Sequence, residues 1–400
     1  MNTSKQTKKQ DYMLDTVDIK IIHPEFEVIN PTLFTPAFVI QNINSNYQYG
    51  YHRFRKYKQN PTAQDKKNGI YSPRLTAYQR FKDDIPAYDL HIEFSIPKLL
   101  FGNSVQELED NDLKTIISLL KTRLYRMGIE ISEKALNEAV VVKAHFGKNI
   151  PLSYPLTAQD AISGLYKADL GKRKDINIRH YGNDGQALYF YASSANIIFY
   201  DKLRDIATPK NKAMDKIKLK QEKLLLQGMN PDKQPEILRF EVRFTRQQSL
   251  NAFLSKALDS RIKKITFEKI FNKELCQKAL IASWEDILNR PANQLALKME
   301  KSPEEVFDVI IKKINTGQKK KAHSLNKTLA SFGLYMMINH CGARRTRNKI
   351  EKNWTNKSWT RLAEKVKESA VILEEIPVLP IMSDIQSALE KFEKYNWRAE

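Results

Sequence analysis

The 400-residue chain carries 66 Lys and Arg residues against 46 Asp and Glu residues, a net charge of +20, with 42% apolar and 10% aromatic residues. So many apolar residues exclude a disordered basic tail, and the presence of only two cysteines excludes a disulfide scaffold or a Cys-rich zinc site. No apolar run reaches the ~18 residues of a membrane span, and the polar start is not a signal peptide. We therefore expect a soluble protein of a reducing compartment, attracted to polyanions.

The first part of the chain alternates between strand and helix patterns. Strands are predicted around residues 18–22 and over 87–96, where apolar and polar side chains alternate. Apolar residues at helical spacing predict a helix over 105–127, which Gly128 ends. Residues 140–142 begin another strand, and residues 157–167 predict a short helix.

The next segments complete the predicted sheet. The turn at 181–185 and the strand-like runs 187–193 and 196–202 predict a hairpin. A Lys-rich helical arm over 208–229 and a strand over 236–246 follow, and beyond about residue 247 the pattern is helical. The sequence thus predicts an α+β fold, with an antiparallel-sheet domain over 1–250 and an all-α domain over 251–400.

The basic charge is divided equally between the two predicted domains. Residues 1–250 hold 38 basic and 28 acidic residues, and residues 251–400 hold 28 and 18, so each part carries +10. Residues 28–64 contain no carboxylate and interleave tyrosines with Arg53, Arg55 and Lys56. This pattern suits single-stranded nucleic acid, whose bases stack on rings, or else a Tyr-rich hairpin with a solvated face.

A second stretch without carboxylates, residues 309–350, includes Arg344, Arg345 and Arg347. At this density of Lys and Arg, we favour contact with a phosphate backbone over a merely solvated surface. The break at Cys341 and Gly342, between an apolar helix and the arginines, could form a helix-turn-helix corner.

Two predicted strands supply candidate metal ligands. His91 and Glu93 lie two residues apart and therefore project from one face, and His145 lies where the next strand becomes polar. An imidazole nitrogen and a carboxylate oxygen are ligands for a divalent metal. Taken singly, each histidine fits a structural role better, so the metal interpretation depends on both occurring near a carboxylate.

Two further strands supply a candidate nucleophile and its surroundings. Tyr200 ends an apolar strand, with Lys202 two residues on, and a phenol needs a nearby cation or metal to react at neutral pH. Arg239, Glu241 and Arg243 alternate and share a face. They form either a salt-bridged sheet surface or a carboxylate ligand flanked by arginines that bind phosphate.

Six segments together resemble the gene II/gene X replication initiators, the rolling-circle initiators of filamentous phages and related plasmids. They span most of the chain and occur in the same order: HIEFSIPKLLFGNSV (91–105), VVVKAHFGKN (140–149), IIFYDK (197–202), RFEVR (239–243), SFGLYMMINHCG (331–342) and NKSWTRL (356–362).

The resemblance implies roles for individual residues. The family's nicking tyrosine falls on Tyr200, its accompanying lysine on Lys202, and its arginine-flanked glutamate on Glu241. The polar positions of the first two motifs fall on His91 and His145, where the phage members carry carboxylates, so metal preference can differ. Glu93 has no clear counterpart in the phage members and ranks below the two histidines as a candidate metal ligand.

By this resemblance, the N-terminal domain is a metal-dependent nuclease that nicks and rejoins single-stranded DNA at a replication origin. Mg²⁺ or Mn²⁺ would be held by His91, His145 and either Glu93 or Glu241, and Tyr200 would form a 5′-phosphotyrosyl intermediate. Lys202, Arg239 and Arg243 would balance the phosphate charge, and the C-terminal helices would bind duplex origin DNA. Host helicase and polymerase are further candidate partners, in a bacterial cytoplasm.

Two alternatives stay open at the level of the sequence. One is a non-catalytic DNA-binding regulator of replication that keeps the basic surfaces and lacks nuclease activity. The other is metal-dependent hydrolysis without a covalent step, in which Tyr200 is dispensable.

Overall fold

A computed structural model of the chain describes residues 11–12, 14–38, 54–62, 64–65, 68–82, 85–109, 111–171, 177–180, 186–191, 195–207, 235–315 and 322–395. These residues form a mixed α+β structure with a large antiparallel sheet and a mostly helical C-terminal region. The strands are β1 (Asp11–Tyr12), β2 (Leu14–Ile22), β3 (Phe26–Val28), β4 (Phe54–Gln59), β5 (Arg74–Lys82), β6 (Ile85–Ser95), β7 (Leu108–Glu109), β8 (Ile129–Ile131), β9 (Val140–Pro151), β10 (Asn177–His180), β11 (Ala187–Tyr191), β12 (Ala195–Asp201) and β13 (Ile237–Phe244).

The described helices fall into two groups. Between strands lie α1 (Ile96–Phe101), α2 (Asp112–Arg126), α3 (Glu133–Glu138), α4 (Ala158–Leu165) and α5 (Lys202–Ala207). After the last strand lie α6 (Gln247–Ala257), α7 (Phe267–Ile270), α8 (Lys273–Leu288), α9 (Pro291–Ala296), α10 (Pro303–Asn315), α11 (Ala322–Cys341), α12 (Ala343–Asn353), α13 (Asn356–Ile372) and α14 (Pro380–Lys391). None of these described helices is long and apolar enough to cross a membrane.

The main sheet is antiparallel throughout its described strands, in the order β10-β11-β12-β13-β9-β2-β6-β5-β4. Its centre joins strands that are far apart in the chain, because β9 pairs with β2 on one side and with β13 on the other. This topology brings the start, middle and end of the sheet region into one surface.

One face of the sheet is apolar and packs against helices. Phe199 of β12 and Phe240 of β13 stack at 4.7 Å between ring centres, and Trp284 of α8 meets both rings edge-on. All three side chains are fully buried. Because side chains alternate along a strand, the sequence neighbours of Phe199 and Phe240 point to the opposite face of the sheet, which is polar.

The hydrophobic core of the sheet includes helices from both groups. α8 contributes buried residues such as Leu275 to this core, and α14 contributes buried residues such as Leu389. A second core joins α9, α10, α11, α12 and α13. The division at residue 250 stays a prediction, and the two described cores show how the later helices are shared between them.

Most predicted elements that fall on described residues are found, with one difference in a helix boundary. The predicted helix over 105–127 begins only at Asp112, because the preceding residues form a turn in which Asn103 Oδ1 accepts hydrogen bonds from the backbone of Val105 and Gln106. The hairpin predicted over 187–202 is confirmed as β11 and β12. The Lys-rich arm predicted over 208–229 lies outside the described residues.

The predicted corner near residue 342 is a sharp break between α11 and α12. Gly342 has a φ of +86°, and an added Cβ would lie 3.1 Å from the Lys167 backbone. The Ala343 amide donates a hydrogen bond to Lys167 O at 2.7 Å. Glycine is required here by both the left-handed backbone and the close approach, and the corner packs against the chain just beyond α4.

Candidate functional site

Tyr200, the predicted nucleophile, lies near the end of β12 on the polar face of the sheet. Its hydroxyl donates a hydrogen bond to Glu241 Oε1 at 2.7 Å, and its side chain is almost buried, with 9% of the residue exposed. Burial and the negative charge of Glu241 raise the pKa of Tyr200 well above its ordinary value, against the opposing charge of Arg239. The resting phenol is therefore protonated, and Glu241 is placed to receive its proton.

Glu241 is the anion around which the polar cluster is built. Its Oε1 accepts a hydrogen bond from Arg239 Nε at 3.1 Å, and its Oε2 accepts bonds from Arg243 Nε at 2.8 Å and Nη2 at 2.5 Å. Burial alone would raise the pKa of this carboxyl, but the charges of Arg243, Arg239 and Lys202 lower it well below its usual range. Glu241 is thus ionised, and both oxygens are occupied by donors.

Arg239 is fully buried and connects Glu241 to two other strands. Its Nη1 donates to Asn149 Oδ1 on β9 and its Nη2 to Asp15 Oδ2 on β2, each at 3.2 Å. The guanidinium passes over Gly147, where an added Cβ would lie 2.6 Å from Arg239 Cζ. Glycine at this position leaves the space that the arginine fills.

Lys202, the first residue of α5, lies beside Tyr200. Its Nζ is 5.8 Å from the centre of the Tyr200 ring and 3.4 Å from Ser104 Oγ, and 1% of the residue is exposed. Burial and the positive charge of Arg239 lower the pKa of this ammonium group. A lysine that releases its proton more readily than usual suits proton transfer to a leaving oxygen.

His145 lies on β9 directly opposite Arg243, on the same polar face. Burial and the charge of Arg243 lower the pKa of His145 to about 4. The imidazole is therefore neutral at physiological pH.

His91 and Glu93 belong to a separate polar cluster on β6. His91 Nδ1 is 3.1 Å from Asp18 Oδ1, and Lys143 Nζ contacts Asp18 at 3.0 Å and Glu93 at 2.8 Å. Burial by itself would raise the pKa of Asp18. The hydrogen bond to His91 and the charge of Lys143 outweigh burial, so the pKa of Asp18 lies below its usual value. His91 Nε2 is buried and without a hydrogen-bond partner among the described residues.

The predicted metal ligands do not converge on one point. Residue Lys20 of β2 pairs with His91, and Thr16 pairs with His145. The two histidines are thus two strand spacings and four residues apart, which puts their Cα atoms roughly 16 Å from each other. The side-chain atoms that bind one metal ion each lie within about 2–2.6 Å of that ion.

The predicted carboxylate ligands are engaged by other side chains. Both oxygens of Glu241 are engaged by arginines and Tyr200, and Glu93 is bound by Lys143. Within the part of the chain that the structure describes, no group of three or more His, Cys, Asp or Glu side chains is placed to hold a metal. The residues as arranged do not fit the Mg²⁺ or Mn²⁺ site that the sequence predicts.

The predicted nucleic-acid contacts on β4 separate onto two faces. Lys56 is exposed on the polar face, with its Nζ 5.3 Å from the centre of the Tyr78 ring. Arg55, its neighbour in the strand, is half-buried and projects from the opposite face. Arg53 lies outside the described residues.

Of the three arginines predicted on α12, one has a structural role. Arg347 is 5% exposed and binds both oxygens of Asp169, at 2.7 and 3.0 Å. It therefore links α12 to the chain beyond α4, and its guanidinium does not face solvent as a phosphate contact would. The Arg345 guanidinium lies 5.4 Å from the Tyr166 ring centre, and Arg344 is half-buried.

Several functional candidates were missed by the sequence analysis. Asp15, Asp18 and Asn149 complete the two polar clusters. The alternation of Thr16, Asp18 and Lys20 in LDTVDIKII indicates Asp18, whereas Asp15 lies off that alternation, at the irregular pairing between Leu14 and Thr16. A groove of about 780 Å³ near the start of α8 was also missed. Its lining includes four exposed cations within nine residues, Arg261, Lys263, Lys264 and Lys269.

Comparison of the chain with models of known protein families gives no match, and comparisons with curated proteins and with solved structures give none.

Proposed function

We propose that this chain is a rolling-circle replication initiator of the gene II/gene X type, which nicks and rejoins single-stranded origin DNA through Tyr200. The observation that carries the proposal is the hydrogen bond from Tyr200 to Glu241 at the centre of a cluster of three cations. A tyrosine with an adjacent carboxylate acceptor and several positive charges has the parts that phosphoryl transfer requires. The protein would act in a bacterial cytoplasm, with host helicase and polymerase as further partners.

The proposed nicking step uses residues of this chain. Tyr200 Oη attacks the phosphorus of the scissile phosphodiester while its proton passes to Glu241 Oε1, 2.7 Å away. The bond from phosphorus to the 3′ oxygen breaks, and that oxygen takes a proton from Lys202. The products are a 5′-phosphotyrosyl bond and a free 3′-hydroxyl, and the reverse sequence rejoins the strand.

Charge around the cluster favours the transition state over the resting state. Arg243 is the accessible cation, with 31% of its side chain exposed, whereas Arg239 and Glu241 are buried. A phosphate arriving beside Arg243 competes with Glu241 for that guanidinium. Release of Glu241 from one arginine would raise its pKa and make it a better proton acceptor, so substrate binding and nucleophile activation are coupled.

A non-catalytic DNA-binding regulator is the second candidate. The observation that favours it is the burial of Tyr200, whose pKa is raised and whose hydroxyl is satisfied in the resting structure. In this case the polar cluster would stabilise the sheet, and the cations exposed elsewhere would bind DNA.

The test is the formation of a covalent protein–DNA adduct. The protein is incubated with a pool of random single-stranded oligonucleotides in buffer containing Mg²⁺ or Mn²⁺, then denatured and separated by electrophoresis. A label at the 3′ end should migrate with the protein, whereas a label at the 5′ end should stay with the released fragment.

Two variants give this experiment its controls. Tyr200→Phe should abolish the adduct, and Tyr189→Phe, which replaces a tyrosine on the neighbouring strand, should retain it. Absence of any adduct with the unmodified chain would favour the non-catalytic regulator, and cleavage retained by Tyr200→Phe would favour hydrolysis without a covalent step.

A further inference from the structure

We propose that the polar face of the sheet is a track for one single strand of DNA, with an aromatic stacking platform at each end. The first platform is Tyr189 and Tyr191, and the second is Tyr78 with Lys56 and Arg80. The inference deepens the proposed function, on which its choice of DNA rests, by stating where the substrate strand lies.

The first platform adjoins the Tyr200 cluster. Tyr189 pairs with Ile198, and Tyr191 pairs with Asn196, so both rings project from the same face as Tyr200. The two rings are stacked, 5.5 Å apart between centres with 11° between their planes, and both residues are half-buried. Parallel aromatic rings at half-buried positions are the kind of surface on which a base stacks.

A phosphate that joins bases on this platform can reach the reactive cluster. Asn196 pairs with Arg243 on the next strand, so Arg243 lies two strands from Tyr191 on the same face. Its side chain is 31% exposed. The arginine thus lies level with Tyr191 and next to Glu241 on β13, where a backbone phosphate of the bound strand would contact it.

The second platform lies near the far edge of the sheet. The Tyr78 ring is approached by Lys56 Nζ at 5.3 Å and by Arg80 Cζ at 5.6 Å from its centre, and His91 packs edge-on at 5.0 Å. Lys56 and Arg80 are exposed, and Tyr78 is half-buried. An aromatic ring flanked by two cations combines base stacking with phosphate contact at one position.

The surface between the platforms is compatible with a polyanion. The carboxylates of Asp18 and Glu93 both contact Lys143, and Arg74 approaches Glu93 at 3.8 Å. Local negative charge on this face is therefore balanced by cations. Asp89 contacts Arg80 at 3.7 Å and is balanced likewise.

The separation of the platforms matches a short single strand. Tyr78 on β5 and Tyr191 on β11 are six strand spacings apart across the sheet, and their register adds an offset of six residues along the strands. Together these give roughly 35 Å. Single-strand binding sites on OB folds cover about 4–16 nucleotides, so one short segment of DNA can span both platforms. A duplex cannot use them, because its bases are already stacked on each other.

The test is equilibrium binding, measured by fluorescence anisotropy with labelled oligothymidylates of increasing length. All proteins carry Tyr200→Phe, so that covalent trapping does not contribute. Tyr78→Ala and the double variant Tyr189→Ala/Tyr191→Ala should each weaken binding by about 5- to 150-fold, the range expected for loss of one stacked base. Tyr154→Ala, at a residue that is 98% exposed and lies outside the sheet, should leave affinity unchanged.

Length and strandedness sharpen the expected result. With the shortest oligonucleotides a strand occupies one platform at a time, so each substitution should have a smaller effect than it has with strands that span both. Binding of the labelled duplex should be the same in all variants. Equal affinities of the platform variants and the Tyr154 control for every single strand would overturn the inference, as would equal losses for single strand and duplex.

Substitutions that preserve the fold keep the test decisive. Tyr78→Phe retains the ring and should bind as the parent does, whereas Tyr78→Leu fills similar volume without a ring and should bind as Tyr78→Ala does. Equal binding by the Phe and Leu variants would contradict a stacking role.

Failure of this inference can be told apart from failure of the proposed function. The adduct assay, run in the Tyr200 background at saturating DNA, reports on the chemistry, and the anisotropy assay reports on the track. Adduct formation, together with single-strand binding that the platform substitutions do not weaken, would refute the track alone. Platform-dependent binding with no adduct would refute the nicking activity alone.

Discussion

The charge on Glu241 holds the polar cluster together, and Glu241→Gln tests that role directly. The substitution keeps the shape of the side chain and removes its negative charge. Four hydrogen bonds from Tyr200, Arg239 and Arg243 end on this carboxylate, which is 1% exposed. The neutral amide would leave the fully buried Arg239 with Asp15 as its described carboxylate partner.

The expected loss of folding stability is large because the cluster is buried away from water. Removing one partner of a buried ion pair costs about 3–5 kcal/mol, whereas an exposed pair contributes about 0–1 kcal/mol. Glu368, which contacts Lys327 at 3.3 Å and is 56% exposed in its side chain, provides the matched control. Glu241→Gln should therefore lower the free energy of unfolding by several kcal/mol more than Glu368→Gln does.

Urea unfolding followed by circular dichroism measures both variants at neutral pH. A Glu241→Gln protein that unfolds at the same urea concentration as the Glu368→Gln protein would refute the assignment of Glu241 as the buried central anion. Acidification tests the same role of Glu241, because it removes the negative charge by protonation. Because the folded-state pKa of Glu241 is depressed, its contribution to stability is present above the ordinary carboxyl pKa of about 4.3 and is lost as the pH falls below that value.

Three further substitutions test other parts of the structure. His145 is neutral in the fold with a pKa of about 4 against about 6.5 unfolded, so stability should rise by about 3 kcal/mol between pH 4 and pH 6.5, and His145→Asn should flatten that rise, whereas His340→Asn, at an exposed site, should not. Gly147→Ala should cost about 1–3 kcal/mol in urea unfolding, because its methyl group would overlap Arg239. Arg347→Ala should lower the melting temperature by breaking a buried ion pair worth about 3–5 kcal/mol when one partner is removed.

Each of these predictions has a contradicting outcome. An unchanged pH profile in His145→Asn would show that the imidazole is not held neutral by burial and Arg243. Wild-type stability in Gly147→Ala would show that Arg239 is free to move. If Arg347→Ala lowered DNA affinity without affecting the melting temperature, the sequence-based assignment of this arginine to phosphate contact would be right and the structural role wrong.

The sheet was largely predictable because alternation marks strands wherever one face is buried. Phe199 and Tyr200 show how this works, since consecutive residues of β12 face the apolar core and the polar cluster respectively. The alternation also placed Arg239, Glu241 and Arg243 on one face, as observed. Local pattern thus specified the face of these side chains.

Register across the sheet was not predictable, and it decides which polar residues meet. The sequence suggests that His91 and His145 could share an ion, but pairing through β2 offsets them by four residues. Likewise, Arg347 looks like its neighbours in a basic helix, and only the fold brings it to Asp169, 178 residues away. Long-range pairings of this kind leave no signal in local periodicity.

The residue that forms the bond to DNA is the most direct test of the proposed nicking activity. The adduct formed with random single-stranded oligonucleotides can be digested with protease and nuclease, and the nucleotide-bearing peptide identified by mass spectrometry. We expect a single modified peptide, with the nucleotide attached to Tyr200 through a 5′ phosphate. Modification of Tyr189 or Tyr191 instead, or the absence of any nucleotide-bearing peptide, would contradict the proposal.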